Sequence, residues 1–171
     1  LTRLADTAYQ ETRQVIFSLK GATQPEGDFM AALEENVSEF SSRHHIQVQL
    51  IRPDFRLFEL APNEETQLMR IIQEALINVG KHAGADQVRV EFGYWGKRHL
   101  RVTIADNGKG FDPGGLECGS ARCFGLRIMQ ERACSIGGTF FIESAPGLGT
   151  VVTIQVPCRK RAAQIEGEVP G

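Results

Sequence analysis

The chain of 171 residues is 42% hydrophobic and sets 21 acidic against 19 basic side chains, a formal net charge of −2. That is enough apolar material for one core and one main domain, and the near balance of charge gives no general attraction to nucleic acid or an anionic membrane. No apolar run approaches the roughly 18 residues that span a bilayer, no signal-peptide pattern opens the chain, and Cys118, Cys123, Cys134 and Cys158 form no C-x-x-C pair, as expected of reduced thiols.

Residues 1–20 read as a helix whose Leu1, Ala5, Ala8, Thr12, Val15 and Leu19 recur at alternating steps of four and three, the seam of a helix packed on other helices. The pattern is already running at Leu1 without a cap, as expected of a piece of a longer protein. Gly21 to Gly27, with Pro25, breaks it. Asp28 can cap a second helix to about His44, with Phe29, Leu33, Val37 and Phe40 on its buried side. Ile46, Val48 and Leu50 alternate with Gln47 and Gln49, which predicts a half-buried strand ending near Pro53.

Asn63 is the expected cap of a long helix with Leu68, Ile71, Ile72, Ala75, Leu76 and Val79 facing the core and Gly84 at its end. Strands are expected at Val88–Phe92 and Leu100–Ile104, joined as a hairpin through residues 95–99. A glycine-rich loop runs from Asp106 to about Arg122, followed by a helix from Phe124 to Ile136. Strands Thr139–Ser144 and Thr150–Val156 flank the Pro146-Gly147-Leu148-Gly149 turn, and the charged tail after Pro157 lacks pattern and is expected to be disordered. Hairpin-linked strands and amphipathic helices imply an α+β fold: a mixed or antiparallel sheet with helices stacked on one face.

Two stretches carry chemistry. In Glu74-Ala-Leu-Ile-Asn-Val-Gly-Lys-His82, the four-residue spacings put Glu74, Asn78 and His82 on one stripe of the helix, with Lys81 beside it. An amide and a carboxylate oxygen on one face suit Mg²⁺, which takes one or two protein ligands and draws the rest from water and phosphate; Lys81 and His82 would meet phosphate oxygens. The same residues also suit an ordinary solvent-facing helix. Asp106 ends a strand, where a buried acid needs hydrogen-bond partners. An adenine amine is one such donor, with Gly108 and Gly110 letting a flat ring approach the backbone, and a plain Asp-Asn-Gly turn is the other reading. The long loop from residue 107 to 122, poor in apolar anchors, suits a lid over a nucleotide, and N–H groups where Phe124-Gly125-Leu126-Arg127 enters the next helix suit phosphate.

Together these segments resemble the ATP-binding catalytic domain of sensor histidine kinases, in the fold shared with gyrase, Hsp90 and MutL. Gln73-Glu-Ala-Leu-Ile-Asn-Val-Gly-Lys-His-Ala83 resembles the family's N box. Asp106-Asn-Gly-Lys-Gly-Phe-Asp112 and Phe124-Gly-Leu-Arg-Ile-Met-Gln-Glu-Arg-Ala133 resemble its two glycine boxes, and Gly147-Leu-Gly-Thr150 its last motif. The wording is most similar to the nitrate/nitrite-sensor-like subfamily. The resemblance implies a two-layer α/β sandwich of the Bergerat type over residues 22–158, a remnant of the dimerising, phosphoaccepting helical hairpin at 1–21 and a tail at 159–171. It implies ATP and Mg²⁺, with Asn78 and Glu74 toward the metal and Lys81 and His82 toward phosphates. Asp106, Gly108, Gly110 and Phe111 would stand around the base, Gly125 and Leu126 would hinge the lid, and Thr150 would support Asp106. Glu74, Asn78 and Lys81 are the residues implied in catalysis. It further implies a parent that dimerises, is anchored in the bacterial inner membrane with this domain in the cytoplasm, and passes phosphate to a response-regulator aspartate.

Cys123 and Phe124 stand before Gly125 where many relatives have another glycine. None of the histidines, His44, His45, His82 and His99, has the surroundings of a phosphoacceptor, so the accepting histidine is expected upstream of Leu1. Three other readings stay open: a serine kinase of the anti-sigma-factor type, against which the helix at 1–20 argues; an ATPase of the gyrase/MutL type; and a noncatalytic nucleotide-sensing module.

Overall fold

A computed structural model describes residues 29–52, 58–96, 98–115 and 121–160, without the side chains of Phe58, Ala121, Arg122 and Lys160; the helix expected at 1–20 lies outside these. The chain divides into two units between Ala32 and Leu33, and the second unit contains the sheet and its helical layer. In order, the elements are α1 (Phe29–His44), β1 (Gln47–Ile51), β2 (Phe58–Glu59), α2 (Pro62–Asn78), a π turn (Val79–Ala83), β3 (Gln87–Trp95), β4 (His99–Asp106), a 3₁₀ turn (Pro113–Gly115), α3 (Ala121–Ser135), β5 (Thr139–Ser144), β6 (Thr150–Pro157) and β7 (Arg159–Lys160).

The main sheet has five strands in the order β1-β3-β4-β6-β5. β1 and β3 pair in parallel, and the other pairs are antiparallel, so the sheet is mixed. A parallel pair needs a crossover, and α2 supplies it between β1 and β3. Register carries the alternation across the sheet: Val90, Ile104 and Val152 are cross-strand partners, as are Phe92, Val102 and Ile154. All six are buried, whereas Arg89, Glu91 and Phe141 on the opposite face are exposed. The covered face meets the helical layer, where α2 packs on α3 and α3 on β5 and β6. Leu68, Ile71 and Ile72 of α2 are wholly buried, each stabilising the fold by about 1.5–3 kcal/mol.

Several boundaries differ from expectation. Asn63 does not cap α2: Pro62 takes the first helical position and Ala61 the cap, because a fixed proline φ and a missing N–H suit that place. Ala61 has no side-chain acceptor, but its N–H donates to Glu64 Oε2 at 2.6 Å, which closes half of a capping box. α3 begins at Ala121, so Phe124, Gly125 and Leu126 lie within its first two turns instead of leading into it. Arg159 and Lys160, expected within a patternless tail, pair with Phe58 and Glu59, a two-residue ladder too short for periodicity to reveal. Cys158 N–H donates to Arg98 O at 2.8 Å and fixes that end of the chain to the β3–β4 hairpin.

α2 passes into a π turn at Val79 and ends at Gly84, φ 61°. The ring of His44 lies against Gly80, where a Cβ would come within 2.8 Å of it, and stacks on Phe40 at 4.7 Å. Gln73 Nε2 donates to Asn36 Oδ1 at 2.7 Å. α1 thus braces the turn that carries Lys81 and His82. No helix among the described residues is long and apolar enough to cross a membrane.

Candidate functional site

A cleft of about 490 Å³, counted to its open mouth, lies between α2, the covered sheet face and α3. Asn78 and His82 reach it from the helix, Asp106 from the end of β4, Gly110 and Phe111 from the loop after it, Leu126 from α3 and Thr150 from the start of β6. Seven of the residues singled out in the sequence are therefore brought together. The floor and walls are apolar: Ala75, Val79, Ile104, Met129, Ile142 and Val152. Of these, Ala75 and Val79 were legible as core positions and the others only as members of their helix or strands. A mostly apolar slot with a few convergent polar groups is the form of a small-molecule site, and one acid at its edge suits a flat heterocycle bearing an amine.

Asp106 is half-buried, and burial pushes its carboxyl above the ordinary range against hydrogen bonds from the Gly108 N–H and from the N–H and hydroxyl of Thr150. The Gly108 bond is 2.8 Å long. Asn107 points elsewhere. Its Oδ1 accepts from the N–H groups of Asp86 and Gln87 at 3.2 and 3.1 Å, and its Nδ2 donates to Asp86 Oδ1 at 2.6 Å. The Asp-Asn pair thus divides its work: Asn107 latches the turn to the start of β3, which leaves Asp106 to face the cleft.

The next residues are pinned as well. Lys109 N–H donates to Ala83 O at 2.9 Å, Gly147 N–H to Lys109 O at 2.7 Å, and Phe111 N–H to Ser144 Oγ at 2.9 Å. The loop expected to be a lid from residue 107 onward is therefore fixed through Phe111, and Pro113–Gly115 form a 3₁₀ turn.

Glu74, Lys81, Gly108 and Gly125 stand outside the cleft lining. Lys81 is exposed. Glu74 turns toward α3, where a Cβ on Gly125 would lie 2.7 Å from its Oε1 and 3.5 Å from Asn78 Nδ2. The first turns of α3 therefore rest on the polar stripe of α2. Burial raises the Glu74 carboxyl above its ordinary range, with Lys81 and Arg132 opposing the shift. Arg132 is held in turn by its Nη1 donating to Gln67 Oε1 at 2.9 Å.

A carboxyl raised in the folded state costs stability above its folded pKa, and the cost vanishes below the unfolded value near 4.5. Glu74→Gln is accordingly expected to raise the melting temperature by a few degrees at pH 8 and to leave it unchanged at pH 4. Equal melting curves at pH 8 would show that the burial is without consequence.

No three His, Cys, Asp or Glu side chains gather into a metal cluster among the described residues. Glu74 and Asn78 offer two neighbouring side chains with oxygen donors, a set that fits Mg²⁺ shared with phosphates.

The family model for histidine kinase-, DNA gyrase B- and HSP90-like ATPases matches residues 63–160. The chain is 33% identical over 154 residues to the sensor histidine kinase LiaS of Bacillus subtilis, covering 90% of this chain and 41% of that one. It is 33% identical over 161 residues to the histidine-protein kinase/phosphatase DegS of Brevibacillus brevis, covering 92% and 39%. The chain thus spans about two fifths of the length of these relatives. Among solved structures, full-length ShkA in complex with AMPPNP superposes with a TM-score of 0.67 at 21% identity, over 94% of this chain and 40% of that one. The histidine kinase domain of a blue-light-activated kinase from Erythrobacter litoralis gives 0.63 at 22%, over 75% and 60%.

Proposed function

The chain belongs to the family of histidine kinase-, DNA gyrase B- and HSP90-like ATPases and carries the ATP-binding catalytic domain of a sensor histidine kinase; on that premise we propose that it transfers the γ-phosphoryl group of ATP to a histidine outside these 171 residues. The observation that carries this reading is Asp106, set at the rim of an apolar cleft with Asn78 and His82 across from it.

Adenine would lie between Ile104, Val152 and Met129 with its amine donating to Asp106. The phosphates would run toward Asn78, His82 and Lys81. Asn78, with Glu74 behind it, would hold Mg²⁺, and that ion supplies charge neutralisation on the phosphate oxygens. Phosphoryl transfer needs positioning and charge stabilisation more than a protein nucleophile, and the imidazole of the acceptor brings its own. Gly125 and Leu126, on the first turns of α3, are assigned to the movement of the lid. LiaS is a sensor histidine kinase by name and DegS a signal transduction histidine-protein kinase/phosphatase, which supports a parent that dimerises through the hairpin ending at residues 1–21 and relays phosphate to a response regulator. Anchoring of that parent in the inner membrane and the nitrate/nitrite-sensor-like subfamily belong to the same proposal.

Incubation with γ-³²P-ATP and Mg²⁺ tests the reading. The chain alone is expected to bind ATP and stay unlabelled. Adding a phosphoacceptor hairpin that contains the histidine is expected to give a label that acid removes. Acid-stable label would make it a serine kinase, and steady phosphate release that needs Glu74 would make it an ATPase of the gyrase type.

A further inference from the structure

We propose that His44 is a positioning residue for the phosphate side of the nucleotide site: its ring, laid against Gly80, sets the π turn that carries Lys81 and His82. The inference rests on the reading that these two side chains meet the phosphates. The ring acts by its flat shape and not by its charge.

The nearest neighbours of a Cβ built on Gly80 are all atoms of the His44 ring, Cε1 and Nδ1 at 2.8 Å and Nε2 at 3.1 Å. The imidazole thus lies close over the Gly80 backbone, at a separation that only a residue without a Cβ permits. The same ring stacks on Phe40 with centroids 4.7 Å apart. Phe40 is buried and His44 exposed, so a phenyl anchored in the core holds the imidazole against the turn. Asn36, Phe40 and His44 follow one another at four-residue steps and share a stripe of α1. Asn36 Oδ1 accepts from Gln73 Nε2 at 2.7 Å. One stripe of α1 therefore meets α2 at Gln73 and the π turn at Gly80.

A π turn is a rare winding that closes i→i+5 hydrogen bonds and recurs at functional sites. It aims Lys81 and His82 in directions that an α-helical continuation of α2 would not. Its far end is fixed by backbone: Lys109 N–H donates to Ala83 O at 2.9 Å, and a Cβ on Gly108 would stand 2.5 Å from that same oxygen. At Gly80, its near end, the contact is the His44 ring. The turn is clamped between the loop after Asp106 and the last turn of α1. Without the ring, the near end is free to relax toward α winding, which turns Lys81 and His82 off the phosphates and leaves the base pocket as it was.

The test is an NMR titration of the 171-residue chain with ATP and with adenosine, which has the base and no phosphates. His44→Ala is expected to weaken ATP binding about threefold to tenfold, through a misaligned hydrogen bond to a charged group, and to leave adenosine binding unchanged. His44→Phe, which keeps a flat ring and discards the ionisable nitrogens, is expected to restore ATP binding. Gly80→Ala displaces the ring with its new Cβ and is expected to match His44→Ala, and the double variant to bind no more weakly than either single one. The imidazole signal of His82, assigned by its loss in His82→Gln, is expected to move in His44→Ala and to keep its place in His44→Phe. His44 is exposed, so both of its variants keep the core, and they decide the matter even if Gly80→Ala does not fold.

Equal losses for ATP and adenosine, additive losses in the double variant, or a His44→Phe chain as weak as His44→Ala each overturn the inference, the last by showing that the imidazole acts through its charge. If Lys81→Ala and His82→Gln leave the ratio of ATP to adenosine affinity untouched, the phosphate reading fails instead, and the His82 signal still decides whether His44 sets the turn.

Discussion

Asp106→Asn is expected to weaken ATP binding roughly 10- to 100-fold, the loss of one hydrogen bond to a charged acceptor in a partly desolvated site. The effect should depend on the base. Asn107 holds the turn to β3 through both of its side-chain atoms, so replacing its neighbour leaves the loop in place and changes only what faces the cleft. An amide at position 106 can donate where the carboxylate could only accept. Inosine triphosphate, with a carbonyl in place of the amine, should therefore lose less affinity than ATP or gain some. Calorimetry with both nucleotides reads this directly. The same variant should melt higher than the parent chain at neutral pH, because burial raises the Asp106 carboxyl and the neutral amide escapes that cost. Unchanged ATP affinity would remove the base from this end of the cleft.

Gly149→Ala is expected to destabilise the chain by about 2–5 kcal/mol, from about 1–2 kcal/mol for a left-handed backbone and about 1–3 kcal/mol for overpacking. Gly149 has φ 75°, and a Cβ there would stand 2.0 Å from Asp106 O and 3.3 Å from Asn107 Cα. Neither atom can yield without separating β4 from β6 at the Asp106–Thr150 pair, so nucleotide binding should fall together with stability. Gly147→Ala is the control. Its φ is 82°, yet nothing lies within 4 Å of the added Cβ, so only the backbone penalty should appear. Urea unfolding of the two variants separates backbone strain from the overlap with β4. Equal losses would mean that the contact with Asp106 relaxes freely. Against a total stability of about 5–15 kcal/mol, the larger loss would leave a substantial unfolded fraction.

Much of the site could be seen in the chain before it was folded. Four-residue spacing on a helix is local geometry, so Asn78 and His82 were bound to share a face with each other, and both do line the cleft. Asp106 at the end of an alternating run had to stand at a strand terminus. Ser144 was not legible, because a serine at a strand end means nothing until its neighbours across the ladder are known. Glu74 belongs to the same stripe as Asn78, yet its carboxylate went to α3, since only the crossing of two helices set it against Gly125.

Local physics decided the elements and the side chains they present. Periods of 3.6 and 2 are properties of the backbone, and they give α1, α2 and the four long antiparallel strands with their inward rows from residue order alone. Contact between residues far apart in the chain decided the rest. The parallel pairing of β1 with β3, the short ladder of Phe58–Glu59 with Arg159–Lys160 and the cross-strand pairing of Ser144 with Thr150 and of Thr150 with Asp106 each join segments whose own patterns carry no mark of the partner. Sheet register is fixed by packing one apolar face on a common helical layer, and no single strand holds that information.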